Sequence, residues 1–261
     1  MKKYLLVAVW CWLLGVGSQA QVLPDEMLNC DFAAQVKSMN EFVARFNGTD
    51  STYKGGVVRL FDYQMSHDGM TDTEFRQHIS DFVQMVEQGS LHIRLTDGGL
   101  YAEVKTMATV CEKAAPLTLV LHSETYQGDY VRWAIVGAKG LAAAGIIDTS
   151  RVAAISPVEH ELHFMTIDEL FTHDNCQHIM AYRGSGVRID ELSVLLTLAM
   201  TDKIRIRQVD DVTLHCMDIP GYVFTINELG RRGDNCGWLI TNLKKMNDND
   251  KTIYLKQLFG L

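Results

Sequence analysis

Two groups of side chains in this 261-residue chain have types and spacings that could do chemistry. The first lies between Leu91 and Val136. If Leu91–Leu95, Leu100–Val110, Leu117–Thr125 and Tyr130–Val136 are antiparallel strands, alternation turns Leu91, Ile93 and Leu95 to one side and His92 and Arg94 to the other. Tyr101, Glu103 and Lys105, then His122 and Glu124, then Arg132, fall on that same polar side. A histidine facing a carboxylate in a pocket can move protons, because burial brings both pKa values toward neutrality. His92, Glu103 and His122 are therefore the candidate acid–base set, with Tyr101, Glu124 and Arg132 as pocket lining. The same pattern describes the solvated outer face of a sheet buried on one side only, and that plainer reading is favoured. Convergence of the three groups in a concave site would decide otherwise.

The second group is the run EHELHFMTIDELFTHDNCQH, with His160, His163, His173, Cys176 and His178. Imidazole and thiolate are good zinc ligands, and His173, Cys176 and His178 could chelate from a loop. His160-Glu-Leu-His163 is one residue short of the HExxH spacing that places both ligands on one helical face. Ordinary surface histidines are the favoured reading, and no cofactor is implied. No Gly-x-Ser-x-Gly elbow is present, since Gly184-Ser-Gly186 lacks the outer spacing. Ser51, in Asp50-Ser-Thr52, fits a three-residue pattern for O-glycosylation of exported proteins.

The elements that would position these groups are legible as periodicities. Cys30–Asn47 spaces Phe32, Val36, Met39, Val43 and Phe46 as one helical stripe, stopped by Asn47-Gly48. Val57–Gln64 looks extended. Thr71 or Asp72 caps a helix running to Val86, with Glu74 placed for a capping box with Thr71. The four strand-like runs follow, with Asp97-Gly-Gly99 as a hairpin turn. Ala138–Pro157 is rich in Gly and Ala and reads as a boundary. Beyond it come a helix over Asp190–Met200, strands over Lys203–Val209 and Val212–Met217, the hairpin Gly221–Leu243, and a short tail after a polar turn. Two stretches, FVQMVEQGSLHIRL and LLTLAMTDKIRIRQ, share a helix end followed by an Ile-Arg strand. With the Tyr-Val runs at 130 and 222, they suggest a duplicated α+β unit.

Lys2-Lys3, the apolar run Tyr4–Val16 and Ser18-Gln-Ala20 read as a signal peptide over 1–20. Its removal takes the formal charge from −8 to −10. An acidic chain with no basic run offers no footprint for nucleic acid, and no later apolar stretch reaches membrane length. Domains are expected at 21–150 and 156–261. Cys30, Cys111, Cys176, Cys216 and Cys236 remain after processing, an odd number whose pairing the sequence leaves open.

Phe42-Val-Ala-Arg-Phe-Asn47 and the strand Tyr130-Val-Arg-Trp-Ala-Ile-Val136 resemble the nuclear transport factor 2-like (cystatin-like) superfamily. The whole chain looks like the exported two-part members of that group from the Bacteroidetes, through the run GYVFTINELGRRGDNCGWLI. The resemblance implies a curved sheet wrapped around helices to form a conical pocket. Such folds host lyases, isomerases and hydrolases as well as proteins that only bind or dimerise, so the fold leaves function open. The expectation is an α+β protein of two cystatin-like halves, each with helices packed on a curved antiparallel sheet. It would be periplasmic or extracellular and would bind a small ligand or an envelope protein without catalysis. The alternatives are an acid–base enzyme using His92, Glu103 and His122, and a homodimerising structural module.

Overall fold

The structure, a computed structural model, describes residues 38–96, 98–128, 130–147, 167–168, 171, 176–184, 186–187, 189–233 and 235–259. The proposed signal peptide, Cys30 and His173 lie outside these, as do the side chains of Cys176 and His178.

Six strands form one antiparallel sheet in the order β3-β2-β1-β4-β5-β6. They are β1 (Leu100–Val110), β2 (Lys113–Tyr126), β3 (Tyr130–Lys139), β4 (Ile204–Cys216), β5 (Tyr222–Leu229) and β6 (Gly237–Lys245). The segments 21–150 and 156–261 thus supply three strands each to a single sheet, joined where β1 pairs along its full length with β4. Among the described residues four α-helices accompany the sheet: α1 (Met39–Phe46), α2 (Asp72–Gly89), α3 (Glu191–Met200) and α4 (Asp248–Phe259). The architecture is α+β.

Alternation along β1 sorts the sheet into two faces. Leu100, Ala102, Thr106, Ala108 and Val110 are buried on the core face, while Tyr101, Glu103 and Lys105 point the other way. Over one end of the core face lie α1, α2 and a 3-10 turn, Val57–Leu60. Thr71 and Glu74 cap α2 reciprocally, as the spacing predicts. Phe46 stacks on Phe224 at 5.6 Å between centroids, and Phe82 meets Phe224 edge-on at 5.5 Å. Each such side chain withdrawn from water contributes about 2–3 kcal/mol. Over the far end, α3 packs Leu195 against Ala108, Val110, Ala115 and Leu117. Asp190 caps α3, accepting from the N–H groups of Leu192 and Ser193.

Four expectations change. Leu91–Leu95 alternates as predicted, with Ile93 buried, yet it is not a strand. Its backbone is satisfied by side chains instead. Asn47, just past α1, both donates to the Ile93 carbonyl (2.9 Å) and accepts from the Ile93 N–H (2.8 Å). Asp218 accepts from the N–H groups of Arg94 (3.1 Å) and Gly99 (2.8 Å), and Ser123 donates to the Leu95 carbonyl. A Cβ at Gly98 would fall 2.6 Å from the Arg94 carbonyl oxygen, so that close turn admits only glycine. Val57–Leu60 is a 3-10 turn rather than extended. The two strands expected within 203–217 are one, β4, which absorbs two bulges against β1. The tail is the helix α4, with Asn247 accepting from the Asp250 N–H (3.0 Å) at its start.

Candidate ligand site

Between the two ends of the core face the described residues leave part of the sheet uncovered. The N-terminal turn of α1 contributes Met39 and Asn40 to the rim of a cavity of about 760 Å³. Its wall and floor are Leu95, Ala102 and Val104, Leu121, Val131 and Trp133, Val212 and Leu214, and Trp238. Register explains the assembly: Ala102 lies opposite both Leu121 and Leu214, and Leu121 lies opposite Ile135, so four strands present one face. Among the described residues no charged side chain lines it, and Asn40 supplies the one side-chain amide. A volume of this size matches ordinary small-molecule sites, which are apolar with few polar groups.

A larger groove, about 1040 Å³, runs beside α2 and β6. Its lining is mixed in charge, with Glu74, Asp81, Lys244 and Lys245. The buried imidazole there, His78, has its Nε2 3.3 Å from the Leu243 carbonyl oxygen and is already satisfied.

The expected acid–base residues separate. His92 is exposed on the 91–95 segment. Among the described residues no hydrogen bond or ion pair joins it to Glu103 or His122. His122 stacks on Tyr101 at 4.6 Å, and its Nε2 lies 3.0 Å from the Gly98 carbonyl oxygen. Glu124 and Arg132 are cross-strand neighbours, with the Arg132 Nε donating to Glu124 Oε1 (2.7 Å). Burial raises the Tyr101 hydroxyl pKa, with the Asp218 carboxylate adding to the rise.

Glu103 finds different partners, His215 of β4 and Lys139 of β3. Its Oε2 lies 3.8 Å from His215 Nε2, beyond hydrogen-bonding reach, and 3.7 Å from Lys139 Nζ. His215 Nδ1 meets the Tyr254 hydroxyl of α4 at 2.8 Å. The His215 side chain is only 7% exposed, and among the described residues its Nε2 has no hydrogen-bond partner. Burial, then Lys139 and Lys105, push its pKa down to about 4. Burial, with Glu103 beside it, pushes Tyr254 up to about 12. Next to them Asn227 donates to Thr213 Oγ1 (2.7 Å) and accepts from the Thr241 hydroxyl (2.6 Å). The sequence placed His215 on a strand but not among the candidates, because its neighbours come from β1 and α4. Their meeting follows from strand order, and only the Thr213/His215 alternation within β4 hinted at it.

Among the described residues no three His, Cys, Asp or Glu side chains group as metal ligands. Cys111, exposed at the β1–β2 turn, and Cys216, buried, are free thiols, and Cys236 is buried. Burial raises the Cys216 thiol pKa, leaving it unreactive. Ser51 is exposed in a loop where the Asp50 carboxylate accepts from the Thr52 N–H (2.9 Å) and hydroxyl (2.6 Å). No described helix is long and apolar enough to cross a membrane. Comparison with known proteins returned no matching family model, curated protein or solved structure.

Proposed function

We propose that this protein binds a small apolar or amphipathic molecule in the cavity between α1 and the sheet, without transforming it. The observation that carries this reading is the lining itself: two tryptophans and a floor of aliphatic side chains, with no titratable group among the described residues to move a proton. The ligand is expected to be uncharged where it is buried, because an ionised group there would have no partner. Asn40 at the rim suits a single hydroxyl or carbonyl.

The exported, periplasmic or extracellular setting rests on the sequence of residues 1–20. The likeness to nuclear transport factor 2-like proteins rests on α1, β3 and an open cavity over a sheet. In this reading the cone belongs to the chain as a whole, with both three-stranded halves contributing wall residues.

Native mass spectrometry of protein isolated from its own cell envelope, set against the denatured mass, tests the assignment. A retained apolar molecule that is lost in Leu121→Arg supports it. Equal retention by Leu121→Arg would put the ligand elsewhere.

A further inference from the structure

The sheet has two edges, and they are treated differently. At β6, Phe61 forms a parallel bridge with Ile240, and the Asp62 N–H donates to the Ile240 carbonyl (2.9 Å). Asn235 donates to the Phe61 carbonyl (2.7 Å) and accepts from the Tyr63 N–H (2.9 Å), so that edge is latched. At β3, among the described residues, only the inner edge is paired, to β2. Residues 130–135 read Tyr-Val-Arg-Trp-Ala-Ile, with no proline and no lysine to discourage pairing. Natural edges this long and apolar are normally blunted or used.

We infer that the outer edge of β3 pairs antiparallel with β3 of a second copy about a two-fold axis at Trp133, continuing the sheet across a homodimer. Residues directly opposite in such a pair share a face, so the register places Trp133 against Trp133 of the second copy and Val131 against Ile135. Arg132 then faces Ala134. A shift that centres the axis on Arg132 sets two guanidinium groups directly opposite, which is unfavourable. In the Trp133-centred register each Arg132 brings its own counter-ion, Glu124 at 2.7 Å. The regular edge ends at Ile135, because the bulge between Leu121 and Val120 leaves Val136 without a partner on β2.

The exposed area suits a weak association. On β3, Tyr130, Val131, Trp133 and Ile135 are 39–71% exposed. At about 150–250 Å² for each aromatic, they leave on the order of 400 Å² in one copy, and about twice that across two, in the range of transient interfaces. The dimer is accordingly a reversible one. Val131 and Trp133 also line the cavity, so the two cavities lie on one continuous floor.

Sedimentation equilibrium over a range of protein concentrations tests this, using two substitutions at one position outside the cavity lining. Ala134→Glu faces Arg132 of the second copy twice per dimer and is expected to tighten association about three- to tenfold, while Ala134→Lys loosens it by as much. Ile135→Lys is expected to abolish it. Protein that is monomeric at every concentration overturns the inference. So does a dimer in which both Ala134 substitutions act in the same direction or neither acts. Amide exchange of the unsubstituted protein supplies a check independent of the variants' folding: amides within 131–135 gain protection as concentration rises, and unchanged exchange there overturns the interface.

Discussion

The two faces of the central sheet hold opposite kinds of space. On the core face, α1 and the sheet line an apolar cavity in which no described residue titrates. On the other face, Glu103, His215, Tyr254 and Asn227 carry the groups that could do proton chemistry, yet α4 lies over them. Lys251 of α4 fastens that lid, donating to the carbonyls of Met217 and Ile219, both at 2.7 Å. On the proposed reading the space takes the ligand, and the titratable groups secure the structure.

The contrast can be broken from either side. The largest effect is expected at the floor of the core face. Phe224→Ala removes a ring that Phe46 and Phe82 both contact, and should cost about 3–5 kcal/mol in urea unfolding. A cost below about 1 kcal/mol would mean that the aromatic cluster is not the packing centre.

Next comes His215. Its folded pKa of about 4 lies below its ordinary 6.5, so the folded protein excludes a proton that the unfolded chain accepts. Stability from this group is fully present above pH 6.5, falls as pH drops toward 4, and changes no further below that. The loss amounts to about 3 kcal/mol at most. His215→Gln should lack this component, so the stability gap between the two proteins narrows as pH falls from 7 to 4.5. Parallel pH profiles would refute a neutral, buried His215.

Tyr254→Phe is smaller. It leaves His215 Nδ1 without the hydroxyl 2.8 Å away and should cost about 1–2 kcal/mol, while leaving ligand binding on the other face unchanged. A variant that loses binding would join the two faces functionally and undo the comparison. Smallest is Thr71→Ala, remote from both faces, which removes one arm of the α2 capping box for about 1 kcal/mol.

Local patterns proved readable and meetings did not. The capping box at Thr71, the helix expected over Asp190–Met200 and found over Glu191–Met200, and the limits of β1 follow from spacing alone. Leu91–Leu95 has the alternation of a strand, but Asn47 and Asp218, 46 and 124 residues distant at their contacts, satisfy its backbone and hold it outside the sheet. The Tyr-Val runs that suggested a duplication fall on strands of different rank, the outer β3 and the inner β5. Glu103 was visible as a candidate, whereas its neighbours His215 and Lys139 depend on β1 lying centrally between β2 and β4. The cavity has the same origin, since Trp133 and Trp238 are 105 residues apart in sequence and come together only through strand order.

Those two tryptophans make the decisive measurement simple, because downstream of residue 20 the chain contains no others, and both line the cavity. Protein beginning at Gln21 would be prepared as two single-tryptophan variants, Trp133→Phe and Trp238→Phe, and titrated with a long-chain alcohol while tryptophan emission is followed. Emission changes in both, saturating at similar concentrations, are the result expected of one apolar cavity holding one ligand. A saturable change in only one variant, or in neither, would contradict it.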